Sequence, residues 1–292
     1  MPSCYMNGFE LESVAWNIET LTGRRAAPQM RVAQIAIPGR SGEVVEFDGT
    51  YEPGKIILRM WVIGCDEDGL IPVGSSRRSE FDKNVDLLMA VFAGNNRQVG
   101  LFEEEMGDGS VRCSDVYVSD VITPEMFGPE SATLAVNMTI PNSFKYENSD
   151  LTFSVSNAAA GDGTHNLSQF VGSTAPLGPI RGLITGPITD PVLTCTRSSK
   201  WIKYTGTVAA GDQWLFDTGA YVSRKGTGLT LNSSNTAGSD ISGATTNNSR
   251  YRWLDLVPGI ESGTVVPQVE IVGSSTDANT GLAIRAKRRF LS

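Results

Sequence analysis

The chain has 292 residues, 40% of them hydrophobic, with 31 glycines and a net charge of −8. That length exceeds what one core usually serves, so two domains are expected, and the abundance of Gly, Ser, Thr and Asn points to turn-rich β structure. The acidic balance argues against nucleic-acid binding, and no stretch approaches the ~20 apolar residues that span a bilayer.

The charge is uneven. Residues 1–150 carry 12 Lys plus Arg against 23 Asp plus Glu, a balance of −11; residues 151–292 carry 12 against 9, or +3. Such asymmetry fits two domains with different surroundings. The first residues, MPSCYMNGFELESVAW, have neither a basic start nor an apolar run, so a soluble protein that is not exported by a signal peptide is expected. Cys4, Cys65, Cys113 and Cys195 are scattered, without CxxC or Cys/His spacing. They read as reduced thiols rather than metal ligands or a disulfide framework.

The segment IAIPGRSGEVVEFDGTYEPGKIILRMWVIG (35–64) holds the best-defined loop. Pro38, Gly39 and Gly42 suit a tight connection, Glu43–Phe47 reads as a strand, and Asp48-Gly49 as a turn. From Lys55 to Ile63, Ile56, Leu58, Met60 and Val62 alternate with a mixed face, the period of a strand. A phosphate cradle would open a helix, and this loop opens onto a strand.

Beyond it, Phe81, Val85, Leu88, Met89 and Phe92 share one face of a helix over 77–93. Ser75 or Ser76 caps it, Glu80 and Asp82 suit its first turn, and Gly94-Asn95 ends it. RQVGLFEEEMGDGSVRCSDVYV predicts a hairpin turning at 107–109, and SATLAVNMTIP alternates through Ala132, Leu134, Val136, Met138 and Ile140. One helix among strands makes this half α+β. Residues 147–177 have weaker patterning. From Leu183 onward come short strands: GLITGP, PVLTCT, WIKYTGTV, GDQWLFDT, AYVSRK, GLTLN, YRWLDLVPG, PQVEIVG and AIRAKRRFL. That spacing predicts a β-sandwich, with a polar loop at 232–249.

Candidate chemistry is sparse. The single histidine, His165, falls in the loop GDGTHN, where no nucleophile is held against it. Glu103, Glu104 and Glu105 alternate across a strand and read as a solvated hairpin edge. GCDEDGL (64–70) suggests a calcium loop, but Gly64 occupies the first ligand position and Ser75 the twelfth, so a turn is expected. Arg285, Lys287, Arg288 and Arg289 read as an exposed strand face rather than a nucleic-acid patch. Trp201, Trp214 and Trp253 could stack on sugars, but their apolar neighbours favour core packing. No catalytic, cofactor or metal residue is assigned, and any ligand-binding residue is unknown.

In this order the features resemble a known family. IPGRSGEVVEFDGTYEPGKIILRMWVIG, the amphipathic helix and VNMTIPNSFKY look like the ring-forming N-terminal domain of siphophage distal tail proteins. ITGPITDPVLTC, WIKYTGTVAAGDQWLFDT and RYRWLDLVPG resemble that family's galectin-like C-terminal domain. The resemblance implies a mainly β chain: an α+β, tail-tube-like split-barrel or sandwich domain at 1–147 and a galectin-like β-sandwich at 148–292. It implies a non-enzymatic bacteriophage virion protein without cofactors, assembled in the host cytoplasm. Its homo-hexamer ring at the tail tip would join the tail tube to the baseplate and leave a channel for DNA. The implied partners are copies of itself, the tail tube protein, and tail-tip proteins such as a tail-associated lysin or tape-measure neighbours. Neither membrane nor specific nucleic-acid binding is implied. One departure is clear: after His165 there is no His for the galectin His-x-Asn-x-Arg strand, and Trp253 is followed by Asp255, with no Glu before Glu261. A sandwich alone does not carry sugar binding. Two other readings stay open, a tail tube subunit and a carbohydrate-binding host-adhesion module.

Overall fold

The computed structural model describes residues 3–23, 27, 29–36, 43–93, 98–120, 122–158, 163–248, 254–261 and 263–291. It is mainly β, with antiparallel sheets and, among the described residues, one α-helix. Two compact units emerge: Met1–Asn148 with Leu291–Ser292, and Ser149–Phe290. The sequence boundary of 147/148 left the last two residues with the second half; they belong with the first unit.

The first unit contains β1 (Cys4–Met6), β2 (Phe9–Glu10), β3 (Trp16–Thr22), β4 (Met30–Ala36), β5 (Glu43–Tyr51) and β6 (Gly54–Ile63). After helix α1 (Arg77–Ala93) come β7 (Gly100–Glu105), β8 (Val111–Val118), β9 (Pro124–Gly128), β10 (Ser131–Ile140) and β11 (Lys145–Glu147). The sheet runs β2-β1-β7-β8-β10-β6-β3, with β9 beside β10 and β11 beside β8. Ile56, Leu58, Met60 and Val62 on β6 and Ala132, Leu134, Val136 and Met138 on β10 are fully buried. Each of these side chains larger than Ala contributes about 1.5–3 kcal/mol on leaving water. Phe81, Leu88 and Phe92 of α1 complete this core. The Ser79 amide donates to Ser76 Oγ at 3.2 Å, so Ser76 is the cap.

Sequence periodicity missed how the helix is anchored. Asn84 is buried, and its Nδ2 donates to the carbonyls of Ile63 (2.9 Å) and Cys65 (2.8 Å) where β6 ends. The glutamate run is a second departure. Pairing with both β1 and β8 makes β7 an interior strand, so Glu104 is buried rather than on a solvated edge. Its Oε2 accepts from Lys145 Nζ at 3.0 Å. Asp48-Gly49 also departs: β5 continues through it to Tyr51, with a register shift against β4 absorbing the extra residues.

The second unit contains β12 (Leu151–Ser156), β13 (Thr164–Asn166), β14 (Arg181–Thr185), β15 (Ile188–Cys195), β16 (Trp201–Tyr204), β17 (Thr207–Val208) and β18 (Asp212–Asp217). It continues with β19 (Val222–Thr227), β20 (Ser239–Asp240), β21 (Thr245–Asn247), β22 (Pro258–Glu261), β23 (Thr264–Ser274) and β24 (Gly281–Ala286). One sheet runs β12-β24-β14-β18-β19-β20; the other runs β13-β23-β15-β16-β21, with β17 on β15 and β22 on β23. Ile184, Trp214, Phe216 and Ile284 of the first share one core with Leu193, Ile202, Val269 and Ile271 of the second. That is the arrangement of a β-sandwich. Gly182 is required there, since a Cβ would come within 2.1 Å of the Phe216 ring.

Three expected elements differ. Gly228–Asn232 forms turns instead of a strand, because Gly228 has φ +72° and the Thr230 amide bonds to Ser233 Oγ at 2.9 Å. In YRWLDLVPG, residues 251–253 lie outside the described residues, and the strand starts only at Pro258. AIRAKRRFL breaks after Ala286. Conversely, β12 forms within the weakly patterned stretch, where Leu151, Phe153 and Val155 alternate and half-bury their side chains.

The Glu104–Lys145 pair yields a test. Truncating one member of a buried ion pair leaves the other charge uncompensated, which costs about 3–5 kcal/mol, whereas replacing both by apolar residues is often near neutral. Lys145→Met is expected to lose that amount in urea unfolding, and Glu104→Met/Lys145→Met to recover most of it. Equal losses for the single and double variants would remove the pair from the account.

Candidate assembly surface

The loop that dominates the sequence joins β4 to β5. Pro38, Gly39 and Gly42 themselves lie outside the described residues; the strands on either side do not. They pair only with each other among the described strands, Val32 opposite Phe47 and Ile35 opposite Val44, as a two-stranded sheet of their own. The connection is strand–loop–strand, without the helix that a phosphate cradle uses. The hairpin base is fixed: the Glu52 amide donates to the Gln29 carbonyl at 2.8 Å, and Ser143 Oγ donates to the Glu52 carbonyl at 2.7 Å. Tyr51 meets buried Phe144 edge-on, ring centres 4.9 Å apart.

Elsewhere in the first unit, large apolar side chains are exposed. On edge strand β9, Met126 and Phe127 are 48% and 63% exposed. Leu70 and Ile71 are exposed in the loop before α1, where a Cβ on Gly69 would approach Val14 to 2.9 Å. That loop is rigid. Asp66 Oδ1 accepts from the amides of Asp68 (3.1 Å) and Leu70 (2.7 Å), and the Asp66 amide donates to the Leu70 carbonyl (2.8 Å). The calcium-like GCDEDGL is therefore a turn that holds itself with its first carboxylate. Across the sheet, Arg59 pairs with Glu19 (3.1 Å) and Glu125 (3.6 Å) on an exposed face.

The remaining sequence candidates separate. His165 sits on β13 opposite Val269 rather than in a loop, half-buried, with Nε2 2.5 Å from the Ala158 carbonyl. Trp214 is fully buried in the core and donates through Nε1 to Ser223 Oγ at 2.8 Å; Trp201 is partly exposed, and Trp253 lies outside the described residues. Asp255 is buried, with Lys200 Nζ 3.6 Å away. The terminal basic residues are half-buried, not an exposed face: Arg285 pairs with Asp150 (3.7 Å), and Arg288 donates to the Val171 carbonyl (3.3 Å). All four cysteines are buried. Burial pushes the Cys65 thiol up, and Asp66 adds to it. Among the described residues no three His, Cys, Asp or Glu gather as metal ligands, and no helix is long and apolar enough to cross a membrane.

One titrating group stands out beside the sheet. Tyr146 on β11 donates to Asp115 Oδ1 at 2.6 Å. Burial, followed by that hydrogen bond, holds its phenol well above the usual range. The folded state thus keeps a proton that the unfolded state releases above about pH 10, so this stability is full below that pH and is lost progressively as pH rises from there through the higher folded-state value. An ultraviolet titration is expected to show one phenol ionising only with unfolding, and Tyr146→Phe to remove that step. A Tyr146 phenol that ionises near pH 10 in the folded protein would contradict this.

No protein-family model matches the chain, and a search of curated proteins finds no match.

Proposed function

We propose that the chain is a structural subunit of a siphophage distal tail ring, without enzymatic activity. The first unit closes a hexameric ring at the end of the tail tube; the second is a galectin-like sandwich. The ring joins tube to tip and leaves a channel for DNA, and the protein resides in the virion after assembly in the host cytoplasm.

The observation that carries this reading is the β4–β5 hairpin, a two-stranded sheet fixed at its base. An isolated hairpin is marginal in water, so it gains most from being covered by a neighbouring chain. A copy that offers a hairpin on one side and accepts one on another makes a heterologous contact, which closes into a ring when the rotation permits. The acidic balance of residues 1–150 suits a channel that a polyanion must pass without sticking.

Because Gln29 meets Glu52 and Met30 stands opposite Tyr51 at the hairpin base, a Gly-Ser turn can replace residues 31–50 while Tyr51 stays against Phe144. By light scattering and negative-stain microscopy the intact chain is expected to form sixfold rings, alone or with tail tube protein. The shortened chain is expected to stay monomeric with its melting temperature kept. Rings from the shortened chain would overturn the hairpin's role. A monomer persisting beside tube protein would overturn ring assembly, and long tubes would assign the chain to the tube.

Gel-shift titration at physiological salt is expected to show no duplex binding, and a glycan array no galactoside signal, since the galectin polar set is missing. Tight, salt-sensitive duplex binding would contradict the channel reading. A saturable galactoside signal would make the second unit a sugar binder.

A further inference from the structure

The outer face of the six-stranded sheet carries an arrangement that packing does not explain. Arg181 on β14 stands directly opposite Arg285 on β24, and Arg224 projects from the same face of β19. Like charges directly opposite on neighbouring strands destabilise a sheet. Asp217, the register partner of Arg181 on its other side, spends Oδ1 on the amides of Gly219 and Ala220, both at 2.9 Å. The carboxylates of Asp150 and Asp240 are half or more exposed and stand 3.7 Å from Arg285 and 3.6 Å from Arg224, with Asp240 Oδ1 also accepting from the Ser242 amide.

The strap that crosses these guanidiniums is itself neutral. Residues 228–238 cross the face as a strap anchored by buried Leu229, whose amide donates to Gln213 Oε1 at 3.0 Å. Arg181 Nη2 donates to Asn235 Oδ1 at 3.0 Å and to the Ser233 carbonyl. Arg224 Nε donates to the Asn235 carbonyl at 2.8 Å, and Arg285 Nη1 to Asn232 Oδ1. Three cations thus converge beneath four residues that carry no charge. Arg181 Nε is buried without a hydrogen-bond partner. Burial holds the Arg181 guanidinium below its usual range, and Arg285 pushes the same way while Asp217 opposes.

We propose that Arg181, Arg224 and Arg285 form a binding site for a phosphate-class oxyanion, which enters by displacing residues 232–235. Arginine presents planar, paired donors that match phosphate oxygens, and hydrogen bonds to an ionised acceptor are roughly twice as strong as those to a neutral one. A phosphate between Arg181 and Arg285 relieves their repulsion, offers an acceptor to the buried Nε, and outcompetes amide and carbonyl oxygens. The displaced strap, rich in Ser, Thr and Asn, supplies hydroxyl and amide groups for whatever carries the phosphate. Its small footprint suits one or two phosphates rather than a nucleic-acid backbone.

The test is calorimetric titration of the full chain with inorganic pyrophosphate, checked by amide shifts at 228–238. The wild type is expected to bind, and Arg181→Gln and Arg285→Gln each to weaken binding about tenfold or more, or 1.4 kcal/mol. Asn235→Ala removes a competitor and is expected to tighten it. Lys225, on the opposite face of β19 with Nζ on the Thr207 carbonyl, is the control: Lys225→Gln should leave affinity unchanged. A polyglycerol phosphate that competes with pyrophosphate identifies a polymer as the source, while binding of pyrophosphate alone identifies a free anion. If the arginines only pin the strap, Asn235→Ala weakens binding or neither it nor the wild type binds at millimolar pyrophosphate, and the proposal fails. It fails too if Lys225→Gln costs as much as Arg181→Gln, or if an oligonucleotide binds and pyrophosphate cannot displace it.

Discussion

The first unit depends on one long strand pair. β6 and β10 stay in register from Gly54 opposite Ile140 to Ile63 opposite Ser131, without a bulge. Because side chains alternate, that unbroken register commits every second residue of both strands to the same buried face. A slip by one residue would turn Ile56, Leu58, Met60 and Val62 to solvent. The helix, the flanking strands and both ends of the sheet are arranged around that commitment. α1 covers the dry face, and Asn84 ties it to the carbonyls where β6 ends.

The same pairing decides what is left for other molecules. β3 takes the far side of β6, while β9 and β8 share the far side of β10. The sheet's own strands therefore use up its interior hydrogen bonds, and the β4–β5 hairpin forms a separate ladder. Met126 and Phe127 stay exposed on the short edge strand. The hairpin base and the Asp66 turn are each held by hydrogen bonds.

In the second unit the division between inside and outside is equally firm, but its outer face is unusual. The core side chains interlock around Trp214, whose indole N–H is satisfied by Ser223. On the other side of the same sheet, three arginines and Gln213 hold a long neutral strap. Its turns come from Gly, Ser, Thr and Asn bonding to nearby backbone, which explains why GLTLN, apolar enough to read as a strand, is not one. Local side-chain acceptors won over ladder formation.

What the sequence determined by itself was whatever depends on local period and local chemistry. The alternation of β6 and β10, the helix over 77–93, the Gly-Asp-Gly hairpin turn and the self-bonded turn at Asp66 all follow from neighbours in the chain. Tertiary structure alone decided the rest, because each case turns on which strand lies beside which. Glu104 is indistinguishable from Glu103 and Glu105 until β1 closes over β7 and Lys145 arrives from forty-one residues away. His165 looks like a loop residue until β23 pairs with it. Arg181 and Arg285 are more than a hundred positions apart, and nothing local to either says that they face each other. Periodicity fixes which face a side chain takes; only pairing fixes what it finds there.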